Sequence, residues 1–220
     1  MLFSRSANYA EATAELKRAL EGMPGVLCVH RALGRVYQQI GDRGQAIATF
    51  RSALENSSTT PDACILRQEL GNAYYAEGRY SEAISEFEKA VEMRPRDPQL
   101  RVNLGASYLA EGDFDRAASE FGKALETNPD LLSALRNLGT LYLKVRRFDD
   151  AIRVLTKAVR IDPSHSSTLR KLALACYEQG SEVEAQEYMR RALEIEQALE
   201  IEQAREGQVR EWQTRGGITS

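Results

Sequence analysis

Two histidines in 220 residues leave little from which to build a metal centre or a catalytic base. They stand at His30 and His165, with several helical segments between them. Packed helices lie about 8–10 Å apart, so the two imidazoles cannot share an ion or a triad. Cysteine is nearly as scarce. Cys28, Cys64 and Cys176 are scattered and odd in number, which suits reduced thiols and excludes a disulfide framework. Cys28 and His30, two apart, point to different faces of a helix. No apolar run approaches the roughly 18 residues that a membrane span needs, and no signal peptide is legible. Phosphate-cradling glycine loops, dinucleotide fingerprints and nucleophile elbows are all missing. A net charge of -3 gives no support to general nucleic-acid binding. The expectation is a non-catalytic chain with no cofactor and no metal.

What is present in quantity is self-similarity. "LGNAYYAEGRYSEAISEFEKAVEMRP" from Leu70 is followed by "LGASYLAEGDFDRAASEFGKALETNP" from Leu104 and "LGTLYLKVRRFDDAIRVLTKAVRIDP" from Leu138, each 34 residues after the last. An earlier copy starts at Leu33-Gly34 and a weaker one at Leu172-Ala173. The period sets repeats at 27–60, 64–97, 98–131, 132–165 and 166–199, with Pro61-Asp62-Ala63 inserted after the first. Within each, Leu, a small Gly and Tyr fall three and four apart, on one face of a helix. Second-helix alanines recur as Ala46/Ala53, Ala83/Ala90, Ala117/Ala124, Ala151/Ala158 and Ala185/Ala192. A glycine inside a helix costs about 1 kcal/mol against alanine, so Gly34, Gly71, Gly105 and Gly139 need a packing reason, and close approach of the paired helix supplies one. Gly41, Gly78 and Gly112 stop the first helices, and Asp97-Pro98 reads as an N-cap followed by proline in the first turn.

These residues resemble the tetratricopeptide repeat family, whose pattern is Leu-Gly and Tyr in one helix, then Ala, Phe and Ala in the next, then Pro. The family's first-helix Trp is replaced here by His30, Arg67, Arg101, Leu135 and Leu169. The resemblance implies an all-α fold, a right-handed solenoid of antiparallel helix hairpins. Residues 1–26 read as the second helix of an incomplete repeat, with Tyr9, Ala12, Leu16, Ala19 and Pro24 in register. The chain is therefore expected to be an internal piece of a longer array, a divergent N-terminal cap being the alternative. Either way, the N-terminal edge is a candidate for self-association. At the other end, "ALEIEQALEIEQA" over 192–204 doubles a six-residue word. Six residues turn a helix by about 600°, so the copies do not share a face and a coiled coil is not expected. A long charged helix that caps the stack is expected instead. Residues 200–220 carry its end and a loose tail, with Trp212 packing on the cap. Ser57 to Pro61 should form the most exposed internal link.

In this family the first helices line a concave groove that holds peptides. The resemblance places Arg31 and Arg35, then Gln68, Asn72 and Tyr75, then Asn103 in that groove. It adds Arg136, Asn137 and Lys144, and finally Arg170, Lys171 and Tyr177. Basic groove residues outnumber the acidic Glu69 and Glu178, so an acidic chain is expected to carry a positive groove. Asn72, Asn103 and Asn137 can hold an extended backbone through paired donor and acceptor contacts. An extended or C-terminal acidic peptide would then be read by Arg136, Arg170 and Lys171. The carboxylate clamp of chaperone-binding relatives is matched only by Gln68, Asn72, Asn103, Ser133 and Asn137, which keep its asparagines and lack its cations. A protein or peptide partner is therefore expected. The alternative is a solenoid that assembles with copies of itself or serves as the interaction region of a larger protein.

Overall fold

The computed structural model describes residues 2–23, 25–55 and 62–215, the side chains of 2–8 and 209–215 excepted. The Ser57–Pro61 link, Pro24, the Trp212 side chain and the final residues of the tail lie outside the described residues. Every described element is a helix or a short turn.

The chain divides into two compact bodies, Met1–Pro129 and Asp130–Ser220. The N-terminal body holds α1 (Leu2–Gly22), α2 (Leu27–Ile40), α3 (Arg43–Glu55), α4 (Ala63–Ala76), α5 (Tyr80–Met93), α6 (Pro98–Glu111) and α7 (Phe114–Thr127). Helices α2/α3, α4/α5 and α6/α7 pair as antiparallel hairpins, each within one predicted repeat, and α1 packs on α2. The C-terminal body holds α8 (Leu132–Lys144), α9 (Phe148–Ile161), α10 (Ser166–Gln179) and α11 (Glu182–Arg215), paired as α8/α9 and α10/α11. Successive hairpins join through second helix on next first helix: α3 on α4, α5 on α6, α9 on α10. The result is an all-α helical-hairpin solenoid.

The sequence writes each hairpin in the same way. Gly41, Gly112 and Gly180 end their first helices in the left-handed conformation, at φ of 85°, 93° and 91°. The Asp97 carboxylate accepts from the backbone N–H groups of Gln99 and Leu100, with Pro98 in the first turn. The helix glycines sit directly under large side chains. A Cβ placed on Gly71 would stand 2.8 Å from the Phe87 ring, and one on Gly105 would stand 2.8 Å from the Phe121 ring. Leu155 fills the same place over Gly139. The paired alanines, Ala83, Ala90, Ala117, Ala124, Ala151 and Ala158, are wholly buried. Between hairpins, Cys64, Ala90 and Leu100 form a small apolar cluster joined by Val91. Burial pushes the Cys64 thiol above its usual range, which keeps it in the unreactive protonated form.

Where the family's Trp is lost, two hairpins carry an ion pair instead. Arg67 donates to Glu86 at 2.8 Å and Arg101 to Glu120 at 2.9 Å, each linking first helix to second with both side chains largely covered. The same two places in the next repeat hold Leu135 and Val154, both buried. Helix α11 is one unbroken helix of 34 residues. It is the second helix of its hairpin, and among the described residues it packs on α10 alone.

Candidate peptide-binding groove

The groove positions lie on first helices, one turn apart, and each body contributes its own set. In the N-terminal body, Arg35 of α2 is exposed, but its guanidinium donates to Glu69 of α4 at 2.8 Å. Glu69 is buried, so this pair ties neighbouring first helices and neutralises both charges. Arg31 is half-covered and shares a small hollow of about 80 Å³ with Leu27, Cys28, Asp62 and Leu66. Asn72 is exposed. The Asn103 amide oxygen accepts from Gln99 at 3.0 Å, within the same helix. Gln68 is half-covered and Tyr75 is 41% exposed, its ring tilted against Tyr80 at 5.4 Å.

The C-terminal body is built differently. Arg136 of α8 reaches α10 and the turn before it, donating to Asp162 at 2.6 Å and to the Thr168 hydroxyl at 3.1 Å. The Ser164 hydroxyl and the Arg136 guanidinium hold the Asp162 carboxyl below its usual range. His165 closes this network as the N-cap of α10, its Nδ1 accepting from the Thr168 backbone N–H at 3.2 Å. Arg170 faces α11, with Glu196 at 3.5 Å. Two of the three cations expected to read a ligand carboxylate thus already hold carboxylates of the chain itself. A cation in contact with an internal acid has less charge to offer a peptide.

Lys171 is the exception. It projects from α10 onto α8, half-buried, and donates to the Thr140 hydroxyl at 2.8 Å. Among the described residues no carboxylate lies within ion-pair distance of it. Burial, and then the nearby positive charge of Arg136, hold its pKa below the usual lysine value. Lys144 is exposed at the end of α8, and Asn137 is half-covered beside Arg136 in sequence. Tyr177, 62% exposed, and Leu174, 47% exposed, supply apolar surface one and two turns along α10 from Lys171.

Sequence reasoning did not find Thr140, Thr168, Asp162 or Glu196 as partners of the groove cations. The turn "DPSH" at 162–165 carries the only signal for Asp162, since Asp before Pro-Ser favours a local turn that fixes the carboxylate. Sequence reasoning also missed a cleft of about 550 Å³ between α10 and α11, floored by Ala173, Ala185 and Met189 and flanked by Leu174, Tyr177, Glu182 and Gln186. Among the described residues no cluster of His, Cys, Asp and Glu could hold a metal ion, and no helix is long and apolar enough to cross a membrane.

Comparison with known proteins places this architecture. The chain is similar to MamA at 24% identity, with a TM-score of 0.68 over 76% of this chain and 95% of that one. It is similar to BtubC from P. vanneervenii at 22% identity, with a TM-score of 0.73 over 88% and 90%. It is also similar to YrrB, described as a TPR protein with an unusual peptide-binding site, at 20% identity, with a TM-score of 0.63 over 82% and 91%. At these identities the likeness is one of fold. No curated protein matches the sequence. Residues 4–207 match the family described as the cilia and flagella-associated protein 70 C-terminal domain, a tetratricopeptide-repeat family. Helix hairpins at a 34-residue period, glycine sockets and a match over nearly the whole chain agree, and the chain belongs to that family of tetratricopeptide-repeat scaffolds.

Proposed function

We propose that this chain is a non-catalytic scaffold that holds an extended acidic peptide along the first helices of its C-terminal body. The observation that supports the reading is Lys171: a half-buried cation on a groove position, hydrogen-bonded to a neutral hydroxyl, with no carboxylate in ion-pair distance among the described residues. A peptide carboxylate beside it would supply the missing countercharge and relieve the repulsion from Arg136. Lys144 adds a second open cation on α8, and Tyr177 with Leu174 offers an apolar seat for a neighbouring side chain. Asn137 is placed to hold the backbone between them. Arg136 acts as a brace that sets α8 against α10, so it shapes the site without serving as its main anion reader.

The test is a titration of the chain with acidic, neutral and basic C-terminal peptide pools at two salt concentrations. Acidic peptides are expected to bind alone, and more weakly at higher salt. Lys171→Gln keeps a donor for Thr140 and removes the charge, so it should weaken that binding by about tenfold, the loss of one charged contact of about 1.4 kcal/mol. Equal binding of all three pools, or an unchanged affinity for Lys171→Gln, would remove the charge-reading role.

A further inference from the structure

Within each body, a hairpin offers one face to the first helix of the next. Helix α6 seats on the α4/α5 face, and α10 seats on the α8/α9 face. Where the face is covered, its centre is closed: Ala83 and Ala151 are fully buried, as are Phe87 and Leu155. The α10/α11 face is the next in that series, and among the described residues nothing lies over it. Ala185 and the half-covered Met189, one 34-residue period after Ala151 and Leu155, instead floor the 550 Å³ cleft. Tyr177 stands open at its edge.

We propose that this cleft is a docking site for an amphipathic helix supplied by a different protein, seated as α10 is seated on α8/α9. The repeat register states what that helix must look like. On the covered faces, the last turn of the incoming helix is held by a polar residue at a fixed place. Ser81 donates to Glu111 at 2.7 Å, and Asp149 accepts from Gln179. At the corresponding place in the last hairpin stands Val183, 82% exposed, between Glu182 and Glu184 in the first turn of α11. The incoming last turn therefore meets an apolar side chain beside the Glu182 carboxylate, which lines the cleft, while Glu184 turns to Cys176 within the hairpin. A Lys or Arg there satisfies Glu182 and also the negative end of its own helix. Its buried stripe fills the cleft over Ala185 and Met189.

A second copy of this chain does not fit the role. All its first helices from α2 to α10 are already clasped in their own hairpins, and α1 presents second-helix residues, Tyr9, Ala12, Leu16 and Ala19. The cleft shares Leu174 and Tyr177 with the groove at one edge, whereas Val183 and Gln186, the two residues substituted below, hold no groove position, so the two readings fail separately.

The probe is a helix-stapled peptide of residues 166–179, the helix that covers the preceding face, carrying Cys176→Ser and Glu178→Lys. It is titrated into the whole chain bearing ¹³C-methyl methionine, with the Met189 methyl as the reporter. A saturable Met189 shift is expected, weakened about tenfold or more in Val183→Lys/Gln186→Lys, whose two sites are exposed and whose helicity is checked by circular dichroism. A peptide keeping Glu178 is expected to bind about threefold more weakly at low salt. Three results would overturn the proposal: no Met189 shift at millimolar peptide, a shift unchanged in the double variant, or a Met189 signal that moves on dilution of the chain alone, which assigns the face to a second copy. Equal affinity of the Lys and Glu peptides would overturn the basic-helix assignment.

Discussion

At the scale of single residues, the repeats solve one problem in two ways. Arg79 pairs with Glu82 and covers the Tyr74 ring at 4.5 Å, and Arg147 pairs with Asp150 and covers the Tyr142 ring at 4.8 Å. In the repeat between them the charges trade places: Asp113 now takes the first position and Arg116 the second, yet the guanidinium still covers the Tyr108 ring at 4.5 Å. A cation over the repeat tyrosine is thus kept while its position in the sequence is not. The Tyr108 hydroxyl also donates to Glu88, and burial together with that carboxylate pushes its pKa up to about 12. Arg146 stands where the neighbouring turns use glycine, at φ 59°, beside Glu178 and the Phe148 ring. A left-handed side-chain residue costs about 1 kcal/mol, so Arg146→Gly is expected to raise stability by about that amount in urea unfolding. Asp162 gives a pH signature. Its folded pKa is depressed, so its stabilising contribution is complete above the usual carboxylate range and is lost as the pH falls through the depressed value. Asp162→Asn should therefore lower the melting temperature at pH 7, with the gap from the native chain closing in the acid range below that of an ordinary aspartate.

At the scale of elements, the hairpin depends on a glycine socket and its filler. Gly105→Ala drives a methyl into the Phe121 ring and should cost about 1–3 kcal/mol. The last repeat shows how the clash is avoided, since Ala173 there lines the same cleft as the flexible Met189. Gly105→Ala/Phe121→Met is accordingly expected to recover most of the loss, which thermal denaturation would show; no recovery would mean that the glycine serves backbone freedom instead. These hairpins were legible in the sequence because socket, alanines and turn glycines recur at a fixed period, and recurrence separates packing from accident. The groove positions were legible as places on helices. The state of their charges was not. Arg136 finds Asp162 26 residues on, Arg35 finds Glu69 34 residues on, and Arg170 finds Glu196, pairings set by how helices meet within and between hairpins.

At the scale of the whole molecule, each body carries its own core. Leu135, Leu138, Leu155, Leu169 and Leu172 are buried and all belong to the C-terminal body. A chain of residues 130–220 is therefore expected to keep a helical circular dichroism spectrum and to melt cooperatively; a gradual, non-cooperative loss of signal would show that it relies on the rest of the protein. Within each body, described helices touch only those next to them, or next but one, along the chain. Tension applied across such a body has no long-range crosslink to share it. The load passes through the hairpins in series, so a body pulled from its ends should lengthen link by link, each hairpin yielding and re-forming as its own element of a soft spring.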